Sequence, residues 1–328
     1  MTTARHIVTL LKSHIAGDED RFLATVMQLA AHEARQGHGK LAQELKELVD
    51  AAKSKAPAIA RSGGPVPLVR PKGELAGLLS ARYPDTHLTD MILPVEIHGR
   101  LERVLLEQRQ QGHLRDHDLY PRRKLLLVGP PGSGKTMTAA ALAGELRLPL
   151  FTVVLDGLIT KFMGETAVKL RLVFDAMNAT RGVYFFDEFD AIGARRAERQ
   201  DVGEIRRVLN SFLQFLEQDE SQGLVVAATN HPELLDKALF RRFDDVIEYA
   251  LPDVMLVERL LRARLDRFDT SGLNWREVAE QAVGLAQAEI VRAAEDAAKA
   301  ILLRNTKRIT SDALIRALTE RRKATLSD

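Results

Sequence analysis

The run GPPGSGKT, Gly129 to Thr136, sets glycines, a lysine and a hydroxyl at the spacing of a phosphate-binding loop. Gly129, Gly132 and Gly134 let backbone N–H groups wrap phosphate oxygens at a helix N-terminus, and Pro130, Pro131, Ser133 and Met137 complete the contact segment. Lys135 would reach the outer phosphates and Thr136 would offer its hydroxyl to Mg²⁺. An ordinary glycine-rich turn is the plain alternative. The apolar run before the loop and the helical pattern after it favour phosphate.

Asp187 follows Lys135 by 187 − 135 = 52 positions, at the end of VYFFDE. An apolar strand there delivers two adjacent carboxylates to the carboxyl edge of a sheet, where ligands bind in open α/β folds. Asp187 would hold the metal's shell and Glu188 would polarise a water for attack on a γ-phosphate. A lone Asp-Glu pair reads as a solvated loop; the upstream loop gives it chemistry. Asn230 ends a further apolar run, LVVAATN, and could orient that water, although a strand-end asparagine is ordinarily a turn former. Arg241 and Arg242 follow 241 − 230 = 11 residues later. Guanidinium groups stabilise phosphoryl-transfer charge and are often supplied by a neighbouring subunit, but two adjacent arginines also suit a solvated face.

These residues need a scaffold. Short apolar segments, KLLLV at 124, LFTVVL at 150, VYFF at 183, LVVAA at 224 and VIEY at 246, alternate with helical patterns. That order predicts an α/β domain over 87–252, a parallel sheet with helices on both faces. Helical periodicity in Leu256, Leu260 and Leu261, then Val278 and Val283, Ile290, Ala294, Ala297 and Ile301, and Leu314 and Leu318 predicts a small helical domain over 253–328. Apolar periodicity over 3–52 predicts an N-terminal three-helix bundle, domain 1–55. Between them, residues 57–73 hold four prolines and three glycines in seventeen residues, which predicts an extended linker over 56–86.

Composition narrows the partners. In 328 residues, 47 basic and 45 acidic side chains leave a formal charge of +2, which gives no global attraction to nucleic acid or anionic lipid. Absence of cysteine excludes disulfides and thiolate metal sites. No apolar run has signal-peptide form or approaches the ~20 residues that span a bilayer, so no membrane insertion and a cytoplasmic location are expected.

Taken in order, the motifs resemble the AAA ATPases of the AAA+ superfamily from about Thr89 to Leu318. GPPGSGKT is similar to the family's Walker A, VYFFDEFDAIGARR to Walker B and its continuation, and GEIRRVLNSFLQFLEQ to the helix near the second pore loop. VVAATNHPELLDKALFRRFDD resembles the second region of homology, which implies Asn230 as sensor and Arg241 and Arg242 as arginine fingers. The adjacent arginines, without the usual Pro-Gly insert, look most like the microtubule-severing and ESCRT-disassembling clade. GLAQAEI resembles the family's lid segment GxSGAD, with Gln287 in place of a glycine.

The resemblance implies ATP and Mg²⁺ as cofactors, hydrolysis to ADP and phosphate, and self-assembly into a ring, a hexamer with nucleotide bound. It also accounts for KFMGE. Lys161, Phe162, Met163 and Gly164 look like the first pore loop, which grips an extended protein substrate; read alone, Phe162 could equally pack into its own core. Arg195, Arg196 and Arg199 would lie near the second pore loop, as a solvated face or a basic ring. The N-terminal bundle would serve recruitment or docking. Against a remodelling motor stand two other readings: an ATP-dependent switch controlling an effector such as a protease, and a nucleic-acid motor or loader, for which the balanced charge gives little support.

Overall fold

A computed structural model describes residues 25–27, 29–30, 34, 37–43, 45–46, 71–158, 165–190, 202–235 and 237–325. The chain divides into two compact units, residues 1–68 and 69–328. The described residues of the first are helical around 25–30 and 39–46, with Thr25 and Ala30 buried. Most of the expected bundle, the proline-rich stretch to residue 70, the KFMG segment and the arginines at 195, 196 and 199 lie outside the described residues.

The second unit is built on a six-stranded sheet of β1 (Leu79–Arg82), β2 (Lys124–Val128), β3 (Leu150–Val153), β4 (Val183–Phe186), β5 (Leu224–Thr229) and β6 (Asp245–Glu248), in the spatial order β1-β3-β4-β5-β2-β6. All neighbours from β3 to β6 are parallel. The inner strands β2, β4 and β5 are apolar almost throughout because both faces are covered, whereas the edge strands β1 and β6 carry polar residues. Alternation then sorts the side chains: Leu126, Val128, Tyr184, Phe186, Val225 and Ala227 enter one core, and Leu125, Leu127, Val183, Phe185, Val226 and Ala228 the other.

One expectation is corrected. Linker composition assigned 56–86 to extended chain, but a 3₁₀ turn at Gly73–Gly77 and strand β1 occupy its end, β1 pairing antiparallel with β3 as an edge strand. Burial of Leu78 and Leu79 drives this. A strand of four residues is too short for its alternation to show in the sequence.

Helices α1 (Val95–Arg109), α2 (Lys135–Leu146), α3 (Glu165–Ala179), α4 (Val202–Gln218) and the short α5 (Lys237–Phe240) connect the strands. Strand β2 is followed in the chain by β3 yet lies between β5 and β6, so successive crossovers diverge from it. Crevices of that kind, at the carboxyl ends of strands, are where α/β sheets bind ligands. Register places Val128 opposite Thr229 on one side and Glu248 on the other, and Phe186 opposite Ala227. The residues that follow these strands therefore meet at one edge.

Four helices, α6 (Val254–Arg264), α7 (Trp275–Ala282), α8 (Gln287–Leu302) and α9 (Ser311–Thr325), enclose a separate core of Val257, Leu261, Val278, Ile290, Ala294, Leu314 and Leu318. Asp253 opens this lid as the N-cap of α6, its carboxylate accepting from Leu256 N–H at 2.7 Å. Val283 departs from its expected core place. Helix α7 ends at Ala282, Gly284 turns the chain at φ +89°, and Val283 is exposed between them. Among the described residues no helix is long and apolar enough to cross a membrane.

Candidate nucleotide site

The loop after β2 takes its shape from three glycines with positive φ, at +150° for Gly129, +73° for Gly132 and +102° for Gly134. At Gly129 any side chain would collide with the chain, since a Cβ would lie 2.4 Å from Tyr249 O. Gly134 precedes the first residue of α2, so the loop's N–H groups gather at a helix N-terminus. Within the loop Ser133 and Lys135 are buried, while Pro131, Thr136 and Met137 are exposed. The Lys135 ammonium donates to Gly129 O at 2.8 Å and Pro130 O at 2.9 Å, with Ser133 Oγ at 3.4 Å. Burial pulls its pKa down, and the carboxylates of Asp187 and Asp190 act in the opposite direction. These partners are neutral, so the lysine's charge is available to an anion in the loop.

Thr136 and Asp187, separated by 51 residues in sequence, meet across the edge, the Thr136 hydroxyl donating to Asp187 Oδ2 at 3.0 Å. Together they form a pair of hard oxygen donors of the type Mg²⁺ takes alongside phosphate oxygens. Among the described residues no group of three or more His, Asp or Glu side chains could hold a metal by itself.

Glu188 stands beside this pair with an exposed side chain and a left-handed backbone at φ +49°. That conformation costs a non-glycine residue on the order of 1 kcal/mol. Three contacts hold it. Glu188 N–H donates to Asp187 Oδ1 at 3.0 Å, Phe189 N–H donates to Ala228 O at 2.8 Å, and the Phe189 ring is fully buried with its centroid 4.7 Å from that of Phe212. The aromatic anchor fixes the turn while the carboxylate faces outward.

Asn230 follows β5 on the neighbouring turn, and Gly129 N–H donates to Thr229 O at 3.2 Å, so phosphate loop and asparagine turn are joined. Two residues to which the sequence expectations give no individual role also support this edge. Asp190 accepts hydrogen bonds from the Thr229 hydroxyl and Asn230 N–H. Tyr249, packed against Gly129, shares a 2.6 Å hydrogen bond with buried Thr138 on α2, and burial pushes its pKa up to about 12. Asp190 lies within the Walker B-like segment and Tyr249 ends VIEY, but what gives each its place here is strand adjacency.

The lid reaches the loop directly. Ala288 N–H donates to Gly132 O at 3.0 Å, and a Cβ on Gly132 would lie 3.1 Å from that of Ala288 and 3.3 Å from that of Ala286. Gln287 opens α8, and its Oε1 lies 3.9 Å from where a Gly134 Cβ would stand.

Arg241 and Arg242 occupy an exposed turn after α5, closed by Arg242 N–H to Leu239 O at 3.0 Å. Adjacent residues would point to opposite sides in extended backbone, but this backbone is turned. Arg242 forms an ion pair with Glu217 at the end of α4, whereas among the described residues Arg241 has no ion-pair partner.

A P-loop on a parallel sheet, two carboxylates at the adjoining strand end and a helical lid against the loop define a nucleotide-hydrolysing P-loop domain. Residues 125–251 match the family described as "ATPase family associated with various cellular activities (AAA)". Over 311 residues the chain is 32% identical to the protein named "Uncharacterized AAA family ATPase y4kL" of Sinorhizobium fredii, covering 94% of this chain and 93% of that one. It is 36% identical over 202 residues to the ATP-dependent zinc metalloprotease FtsH 1 of Methylacidiphilum infernorum, 59% of this chain and 32% of that protein. Identity to the proteasome-activating nucleotidase of Thermococcus kodakarensis is 33% over 235 residues, 67% of this chain and 59% of that protein. The match thus spans nearly all of the first relative, about a third of the second and three-fifths of the third. The crystal structure of the FIGL-1 AAA domain has the same fold, at a TM-score of 0.61 and 21% identity over 79% of this chain and 92% of that one. The chain belongs to the AAA family of ATPases, and it binds and hydrolyses ATP.

Proposed function

We propose that this ATPase assembles into a ring, hexameric with nucleotide bound, and uses Mg²⁺-dependent hydrolysis to pull on a protein substrate through a central pore. The contact of Thr136 with Asp187 carries the assignment of the site, because it unites the phosphate loop with the strand-end carboxylates. In this reading the backbone from Gly129 to Gly134 and the Lys135 ammonium hold the phosphates, and Thr136 and Asp187 hold the metal. Mg²⁺, when bound, supplies charge neutralisation at the phosphate oxygens. Glu188 takes the proton of the attacking water, Asn230 orients that water, and the γ-phosphoryl bond to ADP breaks as the new P–O bond forms.

The exposed arginine turn supports supply in trans, with Arg241, which has no ion-pair partner among the described residues, the better placed to reach a neighbour's nucleotide. Lys161, Phe162, Met163 and Gly164 are assigned to the substrate grip from their sequence alone, and residues 1–55 to recruitment or docking. The names of two relatives, a zinc metalloprotease and a proteasome-activating nucleotidase, favour a protease or similar effector as partner.

A trap experiment tests this reading. The full-length Glu188→Gln protein, loaded with ATP and Mg²⁺, is used to capture proteins from its host and compared with Glu188→Gln/Phe162→Ala. Threading predicts a captured protein that is lost in the double variant. Equal capture by both would remove the pore grip from the account.

A further inference from the structure

The β4–β5 ladder ends with Phe186 opposite Ala227, yet the two groups assigned to one water, Glu188 and Asn230, stand beyond that ladder on separate turns. Their relative placement must be held to about 0.5 Å for chemistry on a shared water, since a 1 Å error costs roughly 10²-fold in rate. The Phe189 N–H bond to Ala228 O ties the first turn to the strand, but it stops short of Asn230.

Asp190 closes that gap. Its Oδ1 accepts from Thr229 Oγ1 at 2.9 Å and from Asn230 N–H at 3.3 Å, and the Thr229 hydroxyl in turn accepts from His231 N–H at 3.0 Å. One carboxylate oxygen thereby organises three consecutive residues, 229 to 231, from a position two residues after Glu188. Thr229 is fully buried and its carbonyl accepts from Gly129 N–H, so the same point also registers the phosphate loop. The charge of Asp190 is felt by Lys135 as well.

We infer that Asp190 is a positioning residue for ATP hydrolysis, locking the Asn230 turn to the turn that carries Asp187 and Glu188. It acts through those groups rather than on ATP. The inference rests on the proposed roles of Glu188 and Asn230. A purely structural carboxylate would affect nucleotide binding and turnover together; a positioning one separates them.

The test measures kcat, KM and the ATP dissociation constant on the full-length protein for Asp190→Ala, Asp190→Asn and Thr229→Val, with Glu188→Gln and Asn230→Ala alongside. Asp190→Ala should lower kcat about 100-fold and leave KM and the dissociation constant within about threefold. Asp190→Asn keeps an oxygen acceptor and should recover turnover to within about tenfold of the native protein. Thr229→Val removes one of the two bonds into Asp190, so its loss should be intermediate and should not multiply with that of Asp190→Ala. Native kcat in Asp190→Ala, an asparagine variant as slow as the alanine one, or multiplying losses would each overturn the inference. Should Asp190→Ala fail to fold, native kcat in Thr229→Val overturns it equally. If Glu188→Gln and Asn230→Ala themselves keep turnover, the site assignment fails; if they lose it while Asp190→Ala does not, only the inference fails.

Discussion

The two edges of the sheet use the same residue types to opposite ends. At the amino-terminal edge, Arg123 before β2 is closed onto Asp219 before β5, donating to its carboxylate at 3.0 Å and its carbonyl at 2.8 Å and also to Ser221 O. Asp244 accepts from the N–H groups of Arg123 and Lys124 at 2.7 and 2.9 Å. The Arg123 guanidinium there is closed onto a carboxylate and two carbonyls of the same chain, and Asp244 onto backbone N–H groups. At the carboxyl edge Lys135 rests on neutral carbonyls, Asp187 on a hydroxyl and an N–H, and Glu188 points outward. What separates the edges is the cation: Arg123 is committed to a carboxylate, whereas the Lys135 ammonium rests on neutral carbonyls that phosphate can replace.

Substitutions at each edge should therefore fail differently. Asp219→Ala leaves the partly buried Arg123 guanidinium without its counter-ion and should cost about 2–4 kcal/mol of stability, read from the denaturant midpoint. Turnover per folded molecule at saturating ATP should stay within about twofold; a selective loss of kcat would break the comparison. A smaller effect is expected just behind the catalytic edge. Thr138→Val strands the buried Tyr249 hydroxyl and should cost about 1–3 kcal/mol by thermal unfolding, while adding Tyr249→Phe should restore most of it. An additive double variant would show that Thr138 and Tyr249 do not act as a pair.

Legibility in the sequence followed the range of the interactions. Gly129 to Thr136 was readable because its geometry is local, three glycines and a lysine within one turn of chain. Strands β2, β4 and β5 were readable because both faces are buried and their residues are apolar almost throughout. Asp190 was not, since what it does depends on β5 lying beside β4. The same holds for Tyr249 against Gly129, and for Glu217 against Arg242, a pairing of two surface groups that no periodicity announces. Strand β1 lies beyond the proline- and glycine-rich residues 57–73, in the part of the expected linker that their composition does not describe, and Val283 kept helical spacing one residue past the helix's end.

The central claim is that the carboxyl edge binds ATP and that Glu188 activates the water that attacks it. Glu188→Gln in the full-length protein tests it most directly, with ATP affinity and steady-state phosphate release measured on the same preparation. The account predicts an ATP dissociation constant within about threefold of the native value and turnover reduced about 10³-fold. Turnover within tenfold of native, with ATP still bound, would contradict it.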